Sequence, residues 1–322
     1  MGEILAGMAT SHAFTLVDPA DWDRQRKLNR QGYFRRYQTY PPIHPRIAEE
    51  QDGAVHERYQ RVASALRRLG GVVEALNPTA LVIVGDDQNE NFVEDCLPQF
   101  AIFVLDQAEL QLQQGVADTQ AVAPYDRDLA QAILDYAVER DYDLAVSHRL
   151  RHPRGLGHAF GPPLRFLNPG LRVPIVCISV NAVHWPAPSP RRCLEFGRLL
   201  REAIAGTDER VVLYGSGGLS HYTAGFPYAA LGRHCYGEID TAFDARLLQA
   251  LADGDLGYLA SLSSRDLLEH GDIEFRSWLV VQGALEGCTA ETLAYEPFYR
   301  AIMGMSCALW RTPAALAAGA AS

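Results

Sequence analysis

The chain has 322 residues, of which 48% are hydrophobic and 21% charged, enough to bury a full core without disulfides or a structural metal. Its 39 acidic residues against 29 basic ones leave a net charge of −10, which argues against a nucleic-acid partner, because such binders need a basic face. The longest apolar runs, such as 80–84, fall far short of the ~20 residues that span a bilayer, so no membrane partner is expected.

The start Met1-Gly2-Glu3-Ile4 has no basic region of the kind that opens a secretory signal. Six scattered cysteines without a Cys-x-x-Cys step read as reduced thiols, and the chain as cytoplasmic. In chain order, short apolar runs predict strands at 4–10, 80–85, 101–105, 144–147, 173–180 and 210–214. Helical periodicity falls between them, at 56–76, 126–142, 190–205, 239–251 and 274–285. Ser189 with Pro190 behind it marks the start of one of these helices. Strands alternating with helices predict an α/β fold: a single layered domain with a central, largely parallel sheet flanked by helices. It should occupy residues 1–312, with a disordered small-residue tail over 313–322. Two stretches resist this pattern and read as long loops. One is the Arg- and Tyr-rich 24–53; the other is 149–170, rich in Pro and Gly.

In a parallel sheet, ligands bind beyond the carboxyl ends of the strands. The first predicted strand runs into Thr10-Ser11-His12, and the second into Gly85-Asp86-Asp87-Gln88. His148 follows a third, with Gly157-His158 shortly after it. The last runs into Gly215-Ser216-Gly217-Gly218-Leu219-Ser220-His221, and Glu238 opens the helix beyond. Histidines and carboxylates from distant segments thus converge on one edge, which suits a metal site of the two-histidine, one-carboxylate type better than a hydrolase triad. The glycine-rich run lacks the Lys-Ser/Thr of a phosphate loop and the G-x-S-x-G of a nucleophile elbow. His44, His184, His234 and His270 read as loop or surface residues.

Taken together, Thr10-Ser11-His12, Val82–Asp87, Gly157-His158, Asn181-Ala182-Val183, Gly215–His221 and Glu238-Ile239-Asp240 resemble the class III extradiol ring-cleavage dioxygenases. The likeness is nearest the protocatechuate 4,5-dioxygenase beta subunit and its relatives for gallate and 3-O-methylgallate, and covers nearly the whole chain. It implies one non-haem Fe(II), held by two histidines and a glutamate, and insertion of both atoms of O2 into a catechol-type ring. It assigns His12 and Glu238 as metal ligands and His158 as the acid–base histidine. Where the family has its second histidine ligand, this chain has Gln88; where a further family histidine precedes the helix near Asp126, it has Tyr125.

Three readings follow. Gln88 ligates through its oxygen, although a neutral carbonyl is a weaker donor than imidazole for Fe(II). Alternatively His56, at the start of the helix feeding the second strand, supplies the missing ligand. Or the site holds no metal and the chain is a non-catalytic partner of an active subunit. The first two make an Fe(II) enzyme acting on a gallate-, methylgallate- or protocatechuate-like catechol. An oxygenase of the same fold acting on an aminophenol or a biosynthetic intermediate is a further possibility. His221 is expected to act beside the site, and Tyr125 to replace the missing acid–base group. Arg35 and Arg36 are expected to bind a substrate carboxylate, and a second copy or a small subunit to cap the pocket.

Overall fold

The computed structural model describes residues 1–113, 119–221, 237–310 and 312–314, apart from the side chain of Arg36. The expectations for His234, for Cys235 and for the tail beyond residue 314 lie outside these residues. The strands are β1 (Glu3–Thr10), β2 (Ala80–Gly85), β3 (Phe100–Phe103), β4 (Gln107–Gln111), β5 (Gln120–Pro124), β6 (Ala145–Ser147), β7 (Ile175–Val180), β8 (Arg210–Ser216), β9 (Ala290–Phe298) and β10 (Met303–Trp310). The helices are α1 (Trp22–Tyr37), α2 (Asp52–Leu76), α3 (Arg127–Val138), α4 (Leu164–Leu167), α5 (Pro190–Ala205), α6 (Thr241–Asp253), α7 (Leu256–Ser261), α8 (Ser264–His270) and α9 (Arg276–Ala284).

The continuous Val- and Ile-rich runs of β2 and β7 are buried at every position, as strands covered on both faces must be. With β8 and β1 they form the parallel centre of an eight-stranded sheet of order β6-β3-β7-β2-β8-β1-β10-β9. The antiparallel β9–β10 hairpin closes one edge beside β1. At the other edge β3 pairs antiparallel to β7 and parallel to β6. β4 and β5 form a separate hairpin.

Alternation along β8 shows the two faces. The Tyr214 ring meets Phe166 of α4 on one side, whereas Gly215 faces the Ser277 carbonyl of α9 on the other. On the α9 side, α5 and α9 cross with almost no gap. A Cβ on Gly283 would stand 2.1 Å from the Leu194 carbonyl oxygen, and one on Gly197 would stand 2.1 Å from that of Val280. Ser189 caps α5 as its sequence predicts, accepting from the Arg192 N–H at 3.2 Å.

Two expectations change. Residues 24–53 are not one loop, because α1 occupies 22–37. It is made of good helix formers but has no apolar stripe, so its periodicity is silent. Trp22 anchors it, fully buried and donating to the carbonyls of Phe14 and Val17. Glu238 does not open a helix either: α6 starts at Thr241, with Asp240 as the cap that accepts from the Phe243 N–H at 3.0 Å. No helix among the described residues is long and apolar enough to cross a membrane.

Candidate active site

The carboxyl ends of β1, β8 and β2 lie side by side, and the polar residues leaving them meet. β1 runs into His12, whose buried ring sets Nδ1 3.2 Å from the Ser216 hydroxyl at the end of β8. Its Nε2 lies 3.4 Å from Glu274 Oε2 and 3.9 Å from Asp86 Oδ1. The His158 ring stands edge-on to it at 4.7 Å. One ligand atom each from His12, Asp86 and His158 can be chosen so that all lie within 4.8 Å of one another.

The turn after β2 is stitched by Asp87, whose carboxylate accepts the backbone N–H groups of Glu90, Asn91 and Phe92. This folding brings Glu90 beneath His158. Glu90 Oε1 accepts from His158 Nδ1 at 2.8 Å and from its backbone N–H at 2.9 Å. The Gln88 side-chain amide donates to Asp86 Oδ2 at 2.9 Å and to Glu274 Oε1 at 3.0 Å. Asp86 Oδ1 is buried without a hydrogen-bond partner among the described residues.

The turn after β8 supplies the rest. Gly217 has φ +129°, and a Cβ there would stand 2.7 Å from Glu274 Cβ, so only glycine lets the turn close over that carboxylate. The Gly218 N–H donates to Glu274 Oε2 at 2.9 Å. His221 has Nδ1 against the Leu219 carbonyl at 2.8 Å and Nε2 3.3 Å from Glu274 Oε1.

These neighbours separate the protonation states. Burial pushes the His12 imidazole down to about 4, so it is neutral at pH 7. For His158 burial works the same way, but the Glu90 carboxylate outweighs it and lifts the ring to about 10. Burial likewise opposes the charge on Glu90, and His158 overrules it, holding the carboxyl at about 2. His221 is buried too, yet Glu274 raises it to about 9. Burial opposes the Glu274 charge, but His12 and His221 keep it well below the usual carboxylate range. Because His12 is neutral, its charged partner at pH 7 is His221. Burial and the neighbouring Glu274 push Asp86 up to about 8.

Of the residues singled out in the sequence, the structure brings together His12, His158, His221 and Gln88. Gln88 turns its amide nitrogen to two carboxylates, which occupies the side chain as a brace. Glu238 is half-exposed and 3.3 Å from His44 Nε2, and among the described residues the carboxylates beside His12 are Asp86 and Glu274. His56 is on the outer face of α2, exposed and 3.1 Å from Gln60 one turn on; the opposite face of the helix carries Val55, Val62 and Leu69 into the core. Tyr125 sits at the wrong end of the sheet. It is bridged to Ile175 at the start of β7, and its hydroxyl donates to the Phe103 carbonyl at 2.6 Å and accepts from the Cys177 N–H at 3.0 Å. Arg35 is exposed on α1, and the Arg36 side chain is outside the described residues. His44 is buried rather than superficial.

Asp86, Glu90 and Glu274 were not singled out. Asp86 was in view at a strand end. Glu274 was hidden inside a helical pattern, with an acid between Ile273 and Phe275 as its only signal.

Residues 41–309 match the family described as the catalytic LigB subunit of aromatic ring-opening dioxygenase. A 2,3-dihydroxyphenylpropionate/2,3-dihydroxicinnamic acid 1,2-dioxygenase of Paraburkholderia phymatum is 30% identical over 288 residues, spanning 76% of this chain and 85% of that protein. Its namesake from Burkholderia vietnamiensis is 28% identical, over 77% of this chain and 87% of its own. Among solved structures, an uncharacterized Escherichia coli protein superposes with a TM-score of 0.50 at 14% identity, covering 94% of this chain and 98% of its own, a likeness of fold alone.

Proposed function

The chain belongs to the LigB family of aromatic ring-opening dioxygenases, the class III extradiol enzymes, which are non-haem and metal-dependent, and we propose from that premise that it opens a catechol ring bearing a carboxylate arm. Its substrates are thus an aromatic diol and O2. The carboxylate arm is common to gallate-like and protocatechuate-like rings and to the dihydroxyphenylpropionate of the relatives' names.

We further propose that the metal is Fe(II), held by His12, Asp86 and His158. The observation that carries this is Asp86 Oδ1, a buried carboxylate oxygen without a hydrogen-bond partner among the described residues, set near two imidazoles. Two histidines and one carboxylate are the donor set of non-haem Fe(II) oxygenases. Outer partners support the fit: Glu90 holds the Nδ1 proton of His158, so that an ion taking the place of the other proton would meet Nε2, Ser216 contacts the other nitrogen of His12, and Gln88 orients Asp86. Such an ion supplies Lewis acidity toward the two adjacent hydroxyls and the redox capacity to activate O2.

With His158 among the ligands, the proton role moves to His221. It carries a proton at neutral pH, held at Nε2 by Glu274, and gives it to the opening ring. A second reading keeps Glu238 as the carboxylate ligand. The observation behind it is that Glu238 and the buried His44 meet at 3.3 Å, beside residues 222–236, which lie outside the described ones.

Oxygen uptake after anaerobic Fe(II) loading tests the proposal, with 2,3-dihydroxyphenylpropionate, protocatechuate, gallate, 3-O-methylgallate and 2-aminophenol as candidates. Rapid uptake on a carboxylated catechol, lost in His12→Ala, is expected. Uptake on none of them, or only on the aminophenol, overturns it.

A further inference from the structure

Resting on the reading of His12 as a metal ligand, we propose that Thr10 and Tyr214 are positioning residues for the metal, which hold the His12 proton on Nδ1 and leave Nε2 bare for the ion. An imidazole binds a metal through a nitrogen that carries no proton, and the bond made by its other nitrogen decides which one that is. Nε2 is the nitrogen of His12 that faces Asp86 and Glu274. Left to those two carboxylates alone, the proton would sit on Nε2, where it blocks the ion.

The Nδ1 side opposes this with a chain of three hydroxyls. Nδ1 lies 3.2 Å from the Ser216 hydroxyl. Tyr214, two residues back along β8 and so on the same face, hydrogen-bonds to Ser216 through its own hydroxyl. The Tyr214 hydroxyl also lies 2.6 Å from Thr10 Oγ1 across the β1–β8 pairing, and Thr10 Oγ1 donates to the Ser11 carbonyl at 2.9 Å. That last link sets the direction of the rest, because a carbonyl oxygen only accepts and each hydroxyl has one proton to give. Thr10 gives its own to Ser11 and so accepts from Tyr214. Tyr214 then accepts from Ser216, and Ser216 from Nδ1–H. Reversal would take the Thr10 proton away from the Ser11 carbonyl. Thr10, Ser11, His12, Tyr214 and Ser216 are all buried, out of reach of bulk solvent that could replace it. On the Nε2 side the contacts are too long to compete. Glu274 Oε2 stands at 3.4 Å and already accepts from the Gly218 N–H, and Asp86 Oδ1 stands at 3.9 Å.

The test reads the His12 tautomer in the metal-free chain at pH 7, by long-range proton–nitrogen NMR on protein labelled with nitrogen-15 histidine. The His12 signal is identified by its absence from His12→Gln, and circular dichroism checks the fold of each variant. Wild type and Thr10→Ser should carry the proton on Nδ1. Thr10→Val leaves Tyr214 without its acceptor, so the Tyr214 proton turns back to Ser216 and that of Ser216 to Nδ1. Tyr214→Phe frees the Ser216 proton directly. Both should therefore gain the Nε2-protonated form, and both should bind Fe(II) about 10–100-fold more weakly in anaerobic chelator competition. Thr10→Val touches no atom of the ring, so a merely structural role would not move its tautomer. A wild-type ring protonated on Nε2, or an Nδ1 proton kept in both Thr10→Val and Tyr214→Phe, overturns the assignment. Because the tautomer is read without metal, a predicted shift in a protein that binds no iron leaves the hydroxyl chain standing and sinks the iron reading alone.

Discussion

Replacing Glu90 with glutamine isolates the brace beneath His158. The substitution keeps the size of the side chain and removes its charge. The Glu90 carboxyl is held at about 2 against an ordinary 4.5, because the His158 ring donates to it and carries the opposite charge. At 1.36 kcal/mol per pH unit, that difference is worth about 3 kcal/mol at neutral pH. Glu90 has a lowered pKa, so its contribution is complete above pH 4.5 and is lost as the pH falls through about 2. His158 is raised, so its share is complete below pH 6.5 and is lost as the pH rises through about 10. The metal-free variant should therefore be less stable by about 3 kcal/mol between those limits. For 322 residues, at about 2.1 cal/mol/K of unfolding entropy each, this lowers Tm by about 4–5 °C. The variant should also bind Fe(II) about 10–100-fold more weakly, since His158 loses the partner that fixes its orientation. Urea unfolding at pH 7 and anaerobic competition with a coloured chelator measure the two effects. Wild-type stability together with wild-type iron affinity would refute the reasoning.

Three further outcomes follow from the same geometry. His221→Gln removes the proton held against Glu274, and should lower kcat by about 100-fold or more while iron content stays at the wild-type level; steady-state rates and iron assays on one preparation check it. Gly217→Ala forces a Cβ to 2.7 Å from Glu274 Cβ at φ +129°, and should cost about 3 kcal/mol, read from thermal unfolding. Asp272→Asn relieves a buried acid pair. Burial raises Asp244 to about 6, with Asp272 raised well above its ordinary value beside it, so the protonated forms favour folding and stability falls as the pH rises from about 4 through 6. Burial and the Asp244 charge are what raise Asp272, so the variant should flatten that fall in unfolding measured across the range.

The parallel centre of the sheet was legible because its strands are covered on both faces and so read as unbroken apolar runs. α2, α3 and α5 were legible because each shows one buried stripe. α1 was not, since one buried tryptophan anchors an otherwise polar helix. Nor was the β9–β10 hairpin. β9 carries Glu291, Glu296 and Pro297 at an exposed edge, and the β10 sequence Met303–Trp310 has no β-branched residue.

At the site, the rule that ligands gather at carboxyl strand ends pointed to His12, Gln88 and His221, whose side chains the structure brings together around Glu274. It misplaced Tyr125, because the β4–β5 hairpin carries the chain to the opposite end of β7 before α3 begins. Glu274 depended on tertiary structure: only the closing of the Gly217-Gly218 turn over the start of α9 brings a helix-pattern acid against two histidines from other strands.

The most direct measurement is the iron content and Fe(II) affinity of Asp86→Ala beside Glu238→Ala, each loaded without oxygen and checked for wild-type folding by circular dichroism. The account predicts that Asp86→Ala loses its iron and that Glu238→Ala keeps one per chain. Iron retained by Asp86→Ala and lost by Glu238→Ala would contradict it.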